Sequence, residues 1–165
     1  MSATITIAPV RKSVQVQTSQ GHAFEVFTSG LGRWWPTNMT IGKPPMKMAV
    51  FEPRLGGLWY ELSEDGSKAN VGRVLVWEPP HRFVMSWEIN SNWVPDTSVA
   101  TEVEVSFFSE GPNLTRVELV HRKFEVLGKE GGNKMRGDVD GGWPGLLQHF
   151  KREAEKTAKN RGAAA

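Results

Sequence analysis

The feature of this sequence that most constrains its fold is a run of six strand-like segments between about Met46 and Phe124, joined only by turns. Gly, Pro and Asp mark the turns, as at Asp65-Gly66, which is a strong hairpin signal, and at Pro79-Pro80. Parallel neighbours need a crossover of a dozen or more residues, usually a helix, and these connections are too short for one. The run therefore predicts an antiparallel sheet.

The last two segments of the run alternate most clearly. Thr101–Ser109 places Val103, Val105 and Phe107 on one face and acidic or hydroxyl residues on the other, and Leu114–Phe124 alternates in the same way. This period of two is typical of an antiparallel sheet with one buried face and one face in water.

A strand and two short helical pieces are predicted before this run. Val10–Gln17 alternates as a strand does. Thr18 or Ser19 can cap the short helix that follows, because a hydroxyl oxygen accepts from an unpaired N–H of the first turn. Trp34-Trp35-Pro36 then begins a turn or a second short helix.

The chain ends in a long amphipathic helix, predicted over Trp143–Asn160, with Pro144 in its first turn. Its apolar residues recur at a spacing of three to four: Trp143, Leu146, Leu147, Phe150 and Ala154. The segment before it, residues 126–140, is rich in glycine and charge, and we predict a mobile loop there. A twisted sheet with a single long helix must lay that helix across its apolar face.

These elements predict one α+β domain, since 165 residues lie in the range of a single domain. Residues 1–9 are expected to form an N-terminal extension, residues 10–160 the domain, and residues 161–165 a frayed tail. The chain has no cysteine, which excludes disulfides and thiolate chemistry. No apolar run is long enough to span a membrane. The N-terminus lacks a secretory signal pattern, so we expect a cytoplasmic protein without membrane contact.

The charge pattern argues against nucleic acid as a partner. The net charge is +2, and residues 151–161 hold five basic and two acidic residues, which leaves the rest of the chain slightly acidic. A nucleic-acid interface needs a basic stripe across a folded face, whereas a basic helix end is usually just solvated.

The histidines and one glutamate are candidate chemical groups. The four histidines stand at unrelated spacings, so no metal site is predicted, and His22 and His149 are expected on exposed helix positions. His121 shares the face of Val117 and Leu119 and should point inward, where a general base, a polar contact to a ligand and a structural role all remain open. Glu88 is expected in water.

Seven tryptophans against one tyrosine form the unusual part of the composition. Trp87 continues the face of Phe83 and Met85, and we expect these rings to meet Trp35 and Trp143 around an apolar cavity; the alternative is that the rings fill the space. The predicted ligand-binding residues are Phe27, Trp35, Phe83, Met85, Trp87, Val105, Leu119, His121, Trp143, Leu147 and Phe150. No catalytic residue and no cofactor is predicted.

A set of motifs gives the sequence a family resemblance. They are Phe24, Trp34-Trp35-Pro36, Phe51-Glu52-Pro53-Arg54-Leu55-Gly56-Gly57, Asp65-Gly66, Gly72-Arg73-Val74, Trp77-Glu78-Pro79-Pro80, Trp87 and His121. With the order of elements, they resemble the activator of heat-shock protein 90 ATPase-like family, in the START/birch-pollen-allergen superfamily. The resemblance implies a helix-grip fold, in which about seven strands wrap on the C-terminal helix. It also implies a cavity between helix and sheet, used across the superfamily for lipids, sterols and polyketides.

Three functions follow as hypotheses. The first is binding of a small apolar or aromatic molecule as a carrier, sensor or sequestering protein, which needs no catalytic geometry. The second is a protein-interaction module with a chaperone contact. The co-chaperone of the family also uses a separate N-terminal domain, which a chain whose first strand begins at about Val10 is expected to lack. The third is an aromatase/cyclase-like enzyme, with His121 or a buried acid as the proton carrier.

Overall fold

The structure is a computed structural model that describes residues 6–164, and the side chains among them up to residue 158. Seven strands, two short helices, a 3-10 turn and one long helix make up this part of the chain. In order they are β1 (Val10–Val16), α1 (Gln20–Phe27), α2 (Leu31–Trp34), β2 (Met46–Phe51), β3 (Leu58–Ser63), β4 (Lys68–Glu78), β5 (Arg82–Trp87), β6 (Thr101–Gly111), β7 (Leu114–Arg122), the 3-10 turn (Phe124–Leu127) and α3 (Gly128–Ala164).

The strands form one antiparallel sheet in the order β1-β7-β6-β5-β4-β3-β2. The predicted fold is confirmed: a curled seven-stranded sheet holds the long C-terminal helix, with two short helices after the first strand. Val105 pairs with Leu119 on β7 and with Phe83 on β5, so the apolar rows of three strands lie side by side. Register shifts interrupt the β2–β3, β3–β4 and β4–β5 pairs, and such bulges increase the bend of a sheet.

Helix α1 packs its apolar face between the sheet and α3. Ser19 is its N-cap, and the Ser19 hydroxyl accepts from the backbone N–H of His22 at 3.3 Å. The predicted exposure of His22 is wrong, because the side chain is only 7% exposed and its Nε2 lies 2.7 Å from the Thr157 hydroxyl. The packing of α1 against α3 covers this face of α1, which the sequence of α1 alone does not show.

The predicted mobile loop at residues 126–140 is also wrong, because α3 begins at Gly128 and includes most of this segment. Glycines cost about 1 kcal/mol each in a helix relative to alanine. Burial of Met135 and Val139 against the core offsets that cost. Pro144, predicted in the first turn, therefore stands inside the helix.

The N-terminal segment packs against the first turns of α3. Ile7 is buried and its N–H donates to the Glu125 carboxylate at 2.8 Å, while Arg136 donates to the carbonyl of Ala8. Gly132 is required here: a Cβ on it would lie 2.4 Å from the Phe124 carbonyl oxygen and 2.6 Å from Ile7. Residues 1–5 of the predicted extension, and the side chains of the predicted frayed tail, lie outside the described residues; the α3 backbone runs to Ala164.

Glu88 contradicts the prediction that it lies in water, since it is only 6% exposed. Its carboxylate pairs with Arg73 on β4 at 3.1 Å and accepts from the Ser86 hydroxyl at 2.5 Å. The Arg73 side chain from the neighbouring strand lies across this outward-facing position. A strand alternation assigns a face correctly but does not show which long side chains cover that face.

Candidate functional site

A cavity of about 260 Å³ lies between the first half of α3 and the concave face of the sheet. Strands β3 to β5, the segment after α2 and the β5–β6 loop complete its wall. Sixteen described residues line it: Trp35, Asn38, Met39, Thr40, Ile41, Trp59, Glu61, Val71, Trp87, Ile89, Trp93, Asp138, Val139, Gly142, Trp143 and Leu146.

Four indole rings form most of the apolar wall. Trp35, Trp59, Trp87 and Trp143 are each at most 9% exposed. The rings of Trp35 and Trp59 meet edge to face at 5.0 Å, and those of Trp87 and Trp143 lie 5.8 Å apart. Aromatic pairs at these separations attract each other, so each ring is held by its neighbours rather than by a ligand.

Strand alternation explains how β3 and β5 supply this wall. Trp59, Glu61 and Ser63 alternate along β3 and are all buried on its concave face. The β5 row that contains Phe83 and Met85 reaches Trp87 and continues to Ile89 just beyond the strand. The alternation that places Phe83 and Met85 in the core therefore also places Trp87 and Ile89 at the cavity.

Glu61 is the polar centre of one side of the cavity. It is 3% exposed and has no ion-pair partner among the residues whose side chains are described. Its Oε1 accepts from the Thr40 hydroxyl at 2.5 Å and from the Gly42 N–H at 3.1 Å, and the Ile41 N–H lies 2.9 Å from both carboxylate oxygens. These bonds hold the segment after α2 against β3. Oε2 shares a single donor and keeps spare acceptor capacity.

A second polar contact joins the β5–β6 loop to α3 at the rim. The indole N–H of Trp93 donates to Asp138 Oδ2 at 2.9 Å, and Lys134 Nζ lies 3.1 Å from the same oxygen. The hydrogen bond from Trp93 lowers the pKa of Asp138 below its ordinary value, with a further contribution from Lys134 against a small effect of burial. Trp93 has a φ of 59°, an uncommon backbone conformation for a residue other than glycine.

His121 supports the cavity wall from behind. Its Nδ1 accepts from the indole N–H of Trp143 at 3.2 Å, so its Nε2 carries the proton and donates to the Thr101 hydroxyl at 2.8 Å. Burial lowers the pKa of His121 to about 3, and the ring is neutral at neutral pH. Its hydrogen-bond partners include no carboxylate. The histidine therefore positions the Trp143 ring.

The indole N–H of Trp87 is the one fully buried side-chain polar atom without a hydrogen-bond partner among the described side chains. The Trp87 ring meets the rings of Trp59 and Trp93 at interplanar angles of 86° and 85°. The indole N–H groups of Trp35, Trp93 and Trp143 are paired, with Met39, Asp138 and His121 respectively as acceptors. The faces of the surrounding rings can accept this N–H only through weak N–H···π contacts, which replace little of a normal hydrogen bond.

The structure separates the predicted ligand-binding residues into two groups. Trp35, Trp87 and Trp143 line the cavity. The others are buried in the adjoining core and are not among the lining residues: Phe27, Phe83, Met85, Val105, Leu119, His121, Leu147 and Phe150.

Sequence reasoning missed most of the polar lining. Trp59 and Glu61 could have been found together, since they share one face of β3, and Ile89 continues the alternation of Trp87. Asp138 was missed because its segment was predicted as a loop. The lining residues of the segment after α2 carry no periodic signal at all.

Two further types of site are absent from residues 6–164. The described histidine, aspartate and glutamate side chains form no group of three that could hold a metal ion. No helix in this part of the chain is long and apolar enough to cross a membrane.

Comparison with known proteins decides the family. A model of the family described as Activator of Hsp90 ATPase homolog 1-like protein matches residues 4–155. The chain belongs to this family. The family resemblance inferred from motifs such as Trp-Trp-Pro and Trp-Glu-Pro-Pro is confirmed. A separate comparison with curated proteins finds no match.

Solved structures of the same fold include two with substantial sequence identity. An anthrahydroquino-gamma-pyrone synthase, Txn09, complexed with SUM, is 43% identical with a TM-score of 0.62, over 88% of this chain and 96% of that one. The self-sacrificing resistance protein CalC from Micromonospora echinospora is 28% identical with a TM-score of 0.67, over 91% and 96%. An Aha1 dimer from Colwellia psychrerythraea, at 13% identity and a TM-score of 0.62 over 90% and 95%, shares the fold.

Proposed function

We propose that this protein binds a small aromatic molecule in the tryptophan-lined cavity. The observation that carries the proposal is the cavity itself: about 260 Å³ of space enclosed by four indoles that already pack against one another. Ligand sites in proteins are mostly apolar clefts of roughly 300–1,000 Å³ with a few polar groups that fix orientation. This cavity lies just below that range, so its ligand is compact.

The expected binding energy agrees with a small ligand. An aromatic molecule that buries about 200 Å² of apolar surface gains roughly 5 kcal/mol before the costs of association. Those costs take up much of this gain, so shape alone gives weak binding. The carboxylate of Glu61 at the wall can add the orientation and affinity that apolar contact lacks.

The relatives support an aromatic ligand. The synthase that is 43% identical is named for a product that joins a fused aromatic system to a pyrone ring. The 28% identical relative is described as a self-sacrificing resistance protein. Both comparisons cover about nine-tenths of this chain.

An aromatase/cyclase-like enzyme is the second candidate function. It is favoured by the identity to a synthase and by Glu61, a buried carboxylate in the cavity wall whose Oε2 has spare acceptor capacity. A carboxylate in this position can accept a proton from a bound substrate. His121 is a weaker candidate for that role, because it stands behind Trp143 and does not line the cavity. The chaperone-related alternative rests on family membership alone.

The proposal is tested by titrating the protein with naphthalene-sized aromatic probes and following tryptophan fluorescence. We expect saturable quenching or a spectral shift, because any occupant touches several indoles. In Val139→Phe the added ring enters the cavity from α3. The apparent affinity for the probe should therefore fall at least tenfold. Gln148→Phe places the same side chain on an exposed position of α3 and should leave binding unchanged.

Two results would contradict the proposal. One is the absence of saturable binding for every aromatic probe up to its solubility limit. The other is equal binding in wild type and Val139→Phe with both proteins folded by circular dichroism. Conversion of a probe to a new mass during the titration would move the conclusion to the enzyme alternative.

A further inference from the structure

The charged groups that line the cavity all carry the same sign. Its lining includes two carboxylates, Glu61 and Asp138, and none of the sixteen lining residues is Lys, Arg or His. Asp138 is already paired with Lys134 and with the indole N–H of Trp93. Glu61 has no cation partner among the described residues, so it is the group whose charge is least compensated.

Glu61 occupies an unusual position for a charged group. At 3% exposure it is almost fully buried beside Trp59, and only O–H and N–H donors of the segment after α2 face it. Burial of a carboxylate is costly unless hydrogen bonds satisfy its oxygens. Oε1 receives three donors, but Oε2 receives only a share of the Ile41 N–H at 2.9 Å. Oε2 therefore keeps spare acceptor capacity, and it belongs to a side chain that lines the cavity.

We propose that Glu61 Oε2 is the recognition point of the cavity and that the ligand is an aromatic molecule with a hydrogen-bond donor, either a hydroxyl or a protonated amine. The inference rests on the proposed function, since it names the class of molecule that the same cavity takes. A donor on the ligand completes the acceptor capacity of Oε2. An anionic ligand is disfavoured, because it would enter beside two carboxylates without a cation in the lining.

The surrounding groups fit this assignment. The indoles of Trp59 and Trp87 give a flat aromatic body faces and edges to pack against, 6.0 Å apart between ring centroids. The bonds from Thr40, Ile41 and Gly42 fix the carboxylate in place before any ligand arrives, so no side-chain entropy is lost at that point on binding. A charge-assisted hydrogen bond is the strong kind and sets the ligand's orientation.

The test compares four probes with one naphthalene body by isothermal titration calorimetry. They are 2-naphthol, 2-methoxynaphthalene, 2-naphthylmethylamine and 2-naphthoate. Methylation of the hydroxyl removes the donor and adds one methyl group, whose steric effect wild type and Glu61→Gln share. In wild type, 2-naphthol should bind about ten- to a hundredfold more tightly than 2-methoxynaphthalene, as expected for a hydrogen bond to a charged group. The carboxylate probe should be the weakest. Whichever of the naphthol and the ammonium probe binds more tightly identifies the source of the donor.

Glu61→Gln assigns the preference to this residue. In the variant, the amide oxygen can keep the bonds from Ile41 and Gly42, and the amide –NH₂ takes the place of Oε2. The preference for 2-naphthol over 2-methoxynaphthalene should fall to less than about threefold. Glu64→Gln is the matched control, because Glu64 is exposed in the turn after β3 and lies outside the lining.

Each outcome has one meaning. Equal affinity for naphthol and its methyl ether in wild type, or tightest binding of naphthoate, would overturn the donor assignment and leave the proposed function intact. A preference that persists in folded Glu61→Gln would overturn the role of Glu61. If none of the four probes binds, the proposed function itself fails. The wild-type comparison needs no variant, so it decides the donor question even if Glu61→Gln does not fold.

Discussion

Two aromatic regions occupy successive parts of the space between the sheet and α3. The phenylalanine cluster comprises Phe24, Phe27, Phe83, Phe107 and Phe150, with ring centroids 4.9–6.4 Å apart. The tryptophan-lined cavity is bounded by rings at similar separations, 5.0–6.1 Å. The first region is filled by side chains, whereas the second surrounds about 260 Å³ of space.

The difference arises from what faces the sheet in each region. Around Phe150, α1 inserts Phe24 and Phe27 beneath the helix and the rings interlock. Around the cavity, α3 presents Gly142, which has no side chain, and the small Val139 beside the larger Trp143 and Leu146. Similar ring spacing thus gives a core in one place and a binding site in the other. Side-chain volume along one helix, more than the number of aromatic rings, decides whether space is left.

The largest expected effect is a loss of stability on removing a ring from the phenylalanine cluster. Phe150→Ala should lower the free energy of unfolding by about 3–5 kcal/mol, because it leaves a void where five rings pack. Leu146→Ala, one turn earlier at the cavity edge, should cost less, about 2 kcal/mol, since that side chain already borders open space. Urea unfolding followed by far-UV circular dichroism measures both. Equal losses would mean that the two regions are packed alike.

A second prediction concerns His121, which packs against Trp87 and Trp143 behind the cavity wall. The unfolded chain binds a proton on this histidine with a pKa near 6.5, whereas burial lowers the pKa in the folded protein to about 3. Between these values the unfolded state binds more protons, so stability decreases as the pH falls below 6.5. The loss between pH 7 and pH 4.5 should be about 2–3 kcal/mol, and stability should be independent of this group above pH 7.

His121→Gln provides the control for the pH experiment. The variant removes the titrating ring and should be less stable at pH 7, but its stability should change little between pH 7 and pH 4.5. The carboxylates with lowered pKa values, such as Glu102 and Glu104 beside Arg122, begin to lose their contribution near their ordinary values, at the lower end of this range, and wild type and variant share that loss. An equally steep dependence in His121→Gln would show that another group causes it.

The sequence predicts the filled region better than the cavity. Alternation in β5, β6 and β7 places the apolar rows correctly, because a period of two needs no knowledge of the partner strand. Alternation and helical spacing also give the inward direction of Trp87 and Trp143, whereas the meeting of these rings with Trp35 is only an expectation from the sequence. These patterns do not show whether the space between the rings is filled, since that depends on how far the helix stands from the sheet.

The first half of α3 is where local sequence reasoning fails. Glycine and charge predicted a loop, but tertiary contacts of Met135 and Val139 stabilise a helix that its own propensities disfavour. The missed helix carries Asp138, Val139 and Gly142 into the lining. An error in secondary structure therefore became an error in the site.

The third prediction compares two neighbouring glycines of α3, Gly141 and Gly142. A Cβ on Gly141 or on Gly142 would meet nothing within 4 Å, but only Gly142 lines the cavity. Each Ala substitution should stabilise the protein by up to about 1 kcal/mol through helix propensity. Only Gly142→Ala should also weaken binding of a naphthalene probe, by about two- to fivefold. Thermal unfolding and calorimetry check the two effects, and weaker binding in Gly141→Ala would contradict the difference.

The smallest expected effect concerns the rim, where Asp138 and Asp140 form a matched pair on α3. Asp138 accepts from the Trp93 indole and pairs with Lys134, whereas Asp140 pairs with Lys12 away from the cavity. Both are surface contacts, so either Ala variant should change stability by no more than about 1 kcal/mol.

Only Asp138→Ala removes the hydrogen bond that joins Trp93 to α3. Trp93 already has an unfavourable backbone conformation. The β5–β6 loop should then move from the cavity mouth more often, and a probe should enter and leave faster with little change in its dissociation constant. Stopped-flow fluorescence measures both rates. Rates in Asp138→Ala that match those in Asp140→Ala would show that the hydrogen bond between loop and helix does not limit access, and that the cavity opens through the segment after α2 instead.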